Sequence, residues 1–123
     1  MNTKVYLCAF ASSDLNLSVK RFINQAKNLN FYQDIKVFRP KDLSQKLNER
    51  IFNLIKLSGK NKYYGFDVWR PEILINYLSS LPENSIMQYS DIGCHFNKNG
   101  IKRLKDYILM DPIQVHPYVG VEN

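Results

Sequence analysis

Three short apolar runs, Val5 to Phe10, Ile35 to Phe38 and Ile86 to Tyr89, are separated by segments with the periodicity of amphipathic helices. Runs this short, rich in β-branched and aromatic side chains, read as buried strands. After the first, Val19, Phe22, Ile23, Ala26 and Leu29 form one helical stripe, with Lys20, Arg21, Gln25 and Lys27 on the other face. The second is closed by Arg39-Pro40, because proline cannot donate to a ladder. Asp42 then stands where it can cap a helix with Leu43, Leu47, Ile51, Leu54 and Ile55 along its apolar side, ending near Ser58-Gly59. Pro71 suits the first turn of a third helix that buries Ile73, Leu74, Tyr77, Leu78 and Leu81. A fourth helix turns Ile101, Leu104 and Ile108 inward, and the tail IQVHPYVGVEN carries no assignable element. Strands alternating with helices predict an α/β fold, an open Rossmann-like parallel sheet flanked by helices, with the first strand between the other two.

A chain of 123 residues, 45% of them hydrophobic, can bury one core, so one compact domain, or one half of a larger one, is expected over residues 1–123. The net charge of +6 is dispersed along the chain with no RNA- or DNA-binding signature, so no specific nucleic-acid partner is expected. The charge leaves room for peripheral association with an anionic membrane, and a homo-oligomer is compatible with the composition. Cys8 and Cys94 form neither a CxxC pair nor a metal-ligand spacing, which predicts a reducing cytoplasm and makes Cys94 a buried small hydrophobe. The opening MNTKVYLCAFASS is too short an apolar run for a secretory or membrane-spanning segment. The aromatic stretch GKNKYYGFDVWRP, Gly59 to Pro71, fits neither period and is expected to be an ordered loop. Within and beyond it Trp69, Tyr63, Tyr64 and Tyr77 read as core, while His95 and His116 read as surface or packing residues.

In open α/β sheets ligands sit outside the carboxyl ends of the strands. The loops that leave those ends here are Ala11 to Asn16 and Asp91 to Asn97. A carboxylate at the position of Asp91 can hold a divalent metal, accept from a ribose hydroxyl, act as a base, or cap the next turn. No GxGxxG, GxxxxGK[ST] or GxSxG motif accompanies it, which removes the dinucleotide fingerprint, the P-loop and the hydrolase elbow. Arg70 precedes a helix start, where a guanidinium and helix amides together suit a phosphate, or it is a surface arginine lying over Trp69. Asp67 can accept from a ligand hydroxyl or form a turn, and Gly93 would let a ligand approach the backbone closely.

Read together, Gly65, Trp69-Arg70-Pro71, Tyr89, Asp91, Gly93-Cys94, Asn97 and the helix through Leu104 and Tyr107 carry a resemblance. The run from Tyr64 to Ile108 resembles bacterial and viral GT-A type glycosyltransferases of capsule, lipopolysaccharide and other surface-glycan synthesis. The resemblance implies that Asp91-Ile92-Gly93 stands where those enzymes carry an aspartate-any-aspartate motif, with Gly93 in place of the second acid. It further implies a nucleotide-sugar donor, manganese or magnesium held at Asp91, a glycan acceptor, and a nucleobase bordered by Phe10, Ala11, Ser12 and Ser13. A full GT-A fold continues through further strands, so the resemblance covers the donor half and leaves the acceptor half out. The expected activity is glycosyl transfer. The rival reading is a non-catalytic α/β module that binds nucleotide sugars or serves assembly.

Overall fold

β1 (Val5–Phe10) lies at the centre of a three-stranded sheet of order β2-β1-β3, parallel on both sides to β2 (Asp34–Phe38) and β3 (Ile86–Tyr89). The computed structural model describes residues 3–109; the tail with His116 and the side chain of Tyr63 lie outside the described residues. Alternation along β1 explains its central place, because side chains of successive residues leave opposite faces of a strand. Leu7 and Ala9 join Phe22 and Ala26 of α1 (Asn16–Asn28) on one face. Cys8 and Phe10 join Phe38, Leu43, Ile51, Trp69, Ile73 and Tyr77 on the other. That second face is covered by α2 (Gln45–Ser58) and α4 (Arg70–Ser80). Among the described residues β2 pairs on one side only, and its burial alternates accordingly.

The helix ends differ in detail from the sequence expectation. Ser44, not Asp42, caps α2: its Oγ accepts from the Leu47 N–H at 3.2 Å, while Leu43 is buried ahead of the helix. Asp42 closes a 3₁₀ turn instead, accepting from the Arg39 N–H at 2.8 Å. Glu72 of α4 ties the two helices together, taking the Ser44 N–H at 2.9 Å and the Ser44 Oγ at 2.8 Å. Leu78 is 55% exposed rather than buried, because no described element lies over that side of α4. α5 (Ile101–Ile108) contributes no fully buried residue; Ile101, Leu104 and Ile108 are half-buried. Among the described residues no helix is long and apolar enough to cross a membrane.

The aromatic stretch is ordered, as expected, and contains one distorted helical turn, α3 (Tyr63–Phe66). Gly65 there takes φ +76, a left-handed conformation that glycine adopts without steric cost. It also lies against Ile51 of α2 so closely that an added Cβ would meet Ile51 Cγ2 at 2.9 Å. Trp69 follows, 4% exposed, and stacks on Phe10 with ring centroids 4.1 Å apart and planes at 20°. Offset stacking of this kind adds about 0.5–1.5 kcal/mol beyond the burial itself. The stretch is thus fastened to α2 at Gly65 and to the end of β1 at Trp69, and it delivers Asp67 and Arg70 to the carboxyl edge of the sheet.

Candidate functional site

Three charged residues meet at that edge. Arg70 Nη2 lies 3.4 Å from Asp67 Oδ2 and 3.4 Å from Asp91 Oδ1, and the Tyr89 hydroxyl donates to the same Asp91 oxygen at 3.3 Å. Register explains how Asp91 arrives: Tyr89 pairs with Cys8 and the Ser90 N–H donates to the Cys8 carbonyl at 3.0 Å, so the chain leaves the sheet beside the end of β1. The guanidinium of Arg70 rests over the rings of Tyr89 and Trp69 at 5.0 and 5.5 Å, an aromatic floor that favours a cation. Its Nε is buried without a hydrogen-bond partner. The contacts at 3.4 Å are at the long end for hydrogen bonds, and the Asp91 side chain is 68% exposed, so shorter contacts can replace them. Asp67 occupies a left-handed position, φ 63, which aspartate tolerates better than most residues. Burial raises its carboxyl above the ordinary range, Arg70 pulls it back and Asp91 pushes it up. The Tyr89 phenol is likewise raised, chiefly by burial.

The residues expected to border a base divide into two pairs. Phe10 is 4% exposed beneath Trp69 and Ala11 is fully buried, its N–H extending the pairing to the Phe38 carbonyl at 2.9 Å. Their side chains are part of the core. Ser12 and Ser13 reach the surface, with the Ser12 hydroxyl donating to Asp14, whose carboxyl is lowered by that bond. Gly93 is exposed and an added Cβ would meet nothing within 4 Å. The protein's own packing therefore does not require glycine there. Cys94 is only half-buried, a departure from the buried hydrophobe expected.

Sequence reasoning missed the residues that hold these loops. Arg21 and Gln25, on the face of α1 that the periodicity leaves outside the apolar stripe, reach the segment after β3. Arg21 donates through Nη2 to the Ile92 carbonyl at 2.8 Å and through Nη1 to the Cys94 carbonyl at 2.6 Å. Gln25 Oε1 accepts from the Phe96 N–H at 3.0 Å, and Gln25 Nε2 lies 3.3 Å from His95 Nδ1. Arg39 performs the same service after β1, donating to the Ser12 carbonyl at 3.3 Å and to Asn16 Oδ1. The only advance signal was two polar residues four apart on one helix side. An open recess of 680 Å³ lies elsewhere, along α2 between Leu43, Asn48, Glu49 and Phe52, and brings no convergent charges together. We place the site at the strand ends for that reason.

The donor set at Asp91 bears on the implied metal. Among the described residues no group of three or more histidine, cysteine, aspartate or glutamate side chains gathers to hold an ion. Asp67 and Asp91 each approach the same Arg70 nitrogen, and magnesium is commonly held by one or two protein carboxylates with water and substrate phosphates completing its shell. The fold and this edge define the chain as α/β and Rossmann-like, with an acid-arginine cluster where such sheets bind ligands. No protein-family model, curated protein or solved structure matches the chain.

Proposed function

We propose that the chain is the donor-binding part of a glycosyltransferase, taking a nucleotide sugar by its diphosphate at Asp67, Arg70 and Asp91. The observation that carries this reading is the convergence of the Asp67 and Asp91 carboxylates on Arg70 Nη2, at the carboxyl edge beside β1. Two carboxylates against one guanidinium leave the cluster net negative, so a diphosphate reaches it only with a counter-cation. Asp91, and Asp67 across from it, would hold manganese or magnesium, which when bound offsets charge on the leaving diphosphate. Arg70 exchanges its long carboxylate contacts for shorter bidentate bonds to phosphate, with its charge already steered by the aromatic floor. Ser12 and Ser13 offer hydroxyls at the neighbouring loop. Transfer breaks the bond from the sugar to the diphosphate and makes one to an acceptor hydroxyl oxygen, which gives up its proton. Positioning and electrostatics supply the rate.

A thermal-shift screen of nucleotide sugars, with manganese and again with chelator, tests the reading. Binding to the folded state raises the melting temperature. Asp91→Asn should leave the unliganded melting temperature nearly unchanged, because the side chain is exposed and its backbone carbonyl keeps the Cys94 N–H at 2.9 Å. Affinity should fall roughly thirtyfold, the loss of about 2 kcal/mol expected for a charged contact. Binding of no nucleotide sugar by the wild-type protein, or equal affinity in Asp91→Asn, would remove the proposal in favour of a non-catalytic module.

A further inference from the structure

The carbonyls of Ile92 and Cys94 are both turned toward α1 by a single guanidinium, that of Arg21. In a trans peptide the N–H points opposite to the carbonyl of the same plane, and there is no cis bond among the described residues. The Ile92 carbonyl shares its plane with the Gly93 N–H, so Arg21 turns that amide away from α1. The same glycine has nothing within 4 Å of an added Cβ, which leaves room for a ligand to reach its backbone. A cation on the carbonyl also polarises the peptide and strengthens its N–H as a donor. Gln25 secures the far end of the segment through the Phe96 N–H.

We infer that Arg21 is a positioning residue that presents the Gly93 amide to a phosphate oxygen of the donor, an inference that rests on the donor-site reading above. Arg21 itself touches no ligand. Its role is to fix two peptide planes from behind, so that the amide of Gly93 meets the diphosphate without first having to be ordered.

The test is an amide NMR titration of the full chain with inorganic pyrophosphate and with uridine, guanosine and cytidine diphosphates, magnesium present. In the wild-type protein the Gly93 amide resonance should move downfield on binding. Arg21→Lys keeps the charge and the aliphatic stem but cannot bridge two carbonyls with one planar fork. It should weaken binding roughly tenfold and shrink the Gly93 response, with the backbone signals of the sheet in place. Arg21→Ala should do the same more strongly, and if it fails to fold, Arg21→Lys decides alone. Unchanged affinity and an unchanged Gly93 response in Arg21→Lys would overturn the positioning role while leaving the donor site standing. If none of these ligands moves any wild-type resonance, the donor-site reading falls and this inference with it.

Discussion

Gly65 couples the site loop to the core, and Gly65→Ala tests that coupling. Two costs follow from the geometry. The backbone at φ +76 is left-handed, which costs an alanine about 1–2 kcal/mol. The new Cβ would stand 2.9 Å from Ile51 Cγ2, 3.1 Å from Cγ1 and 3.2 Å from Cβ, and Ile51 is buried at 1% exposure. Overpacking of this kind costs about 1–3 kcal/mol. The stiffer unfolded chain returns about 0.4–1 kcal/mol. The net expectation is a loss of about 1–4.5 kcal/mol, or roughly 10 °C in melting temperature at the middle of that range for a domain of this size. Urea denaturation monitored by tryptophan fluorescence is the assay, since Trp69 is the lone tryptophan and lies four residues on. Ile51→Ala removes both Cγ atoms, so the double variant should be less destabilised than the sum of the singles by at least about 1 kcal/mol. A Gly65→Ala protein within about 0.5 kcal/mol of wild type, or strict additivity in the cycle, would refute the close approach.

Gly93→Ala should behave in the opposite way: with no neighbour within 4 Å its stability should hold, while nucleotide-sugar affinity drops; an unchanged affinity in calorimetry would argue that no ligand approaches Gly93 closely. The two thiols should also separate. Burial pushes the Cys8 thiol up to about 12 and also raises that of Cys94, but Cys94 is only half-buried, so a disulfide reagent should modify Cys94 in the native protein and Cys8 only on unfolding. Equal native rates would contradict the burial. Because the folded-state value of Cys8 lies above the ordinary 9.0, the unfolded chain releases that proton first. The contribution to stability is therefore whole below pH 9 and declines as pH rises toward 12, and denaturation midpoints measured across that window should fall less steeply in Cys8→Ala.

The strands were legible because their side chains are sorted by burial. The run VYLCAF is apolar on both faces, as a central parallel strand must be, whereas DIKVF alternates, as an edge strand can. The cap of α2 was misplaced for a physical reason: Leu43 continues the helical spacing and is buried, yet it stands before the helix, and Ser44 supplies the acceptor. Leu78 keeps the period too, but a period records which side of α4 is apolar and not whether anything covers it. The link of Asp67 to Arg70 is a neighbouring-turn contact and could be anticipated, whereas the link of both to Asp91 requires the sheet order. Arg21 and Gln25 were invisible for the same reason. Helical periodicity assigns them to the side away from the apolar stripe, and only the return of β3 next to β1 brings backbone carbonyls within their reach.

The arginines at this edge differ in what they hold, and the difference bears on which one a ligand can claim. Arg21 donates at 2.6 and 2.8 Å to two carbonyls, and Arg39 donates to the Ser12 carbonyl and to Asn16, so both would lose good acceptors by moving. Arg70 makes contacts of 3.4 Å to two carboxylates, one of them on a side chain 68% exposed. A screened, long ion pair near the surface is worth at most about 1 kcal/mol. A bidentate guanidinium–phosphate interaction in the partly buried setting above Tyr89 and Trp69 exceeds that. Of these three, Arg70 is therefore the guanidinium that an incoming phosphate can redirect. Arg21 holds the loop after β3 and Arg39 the loop after β1.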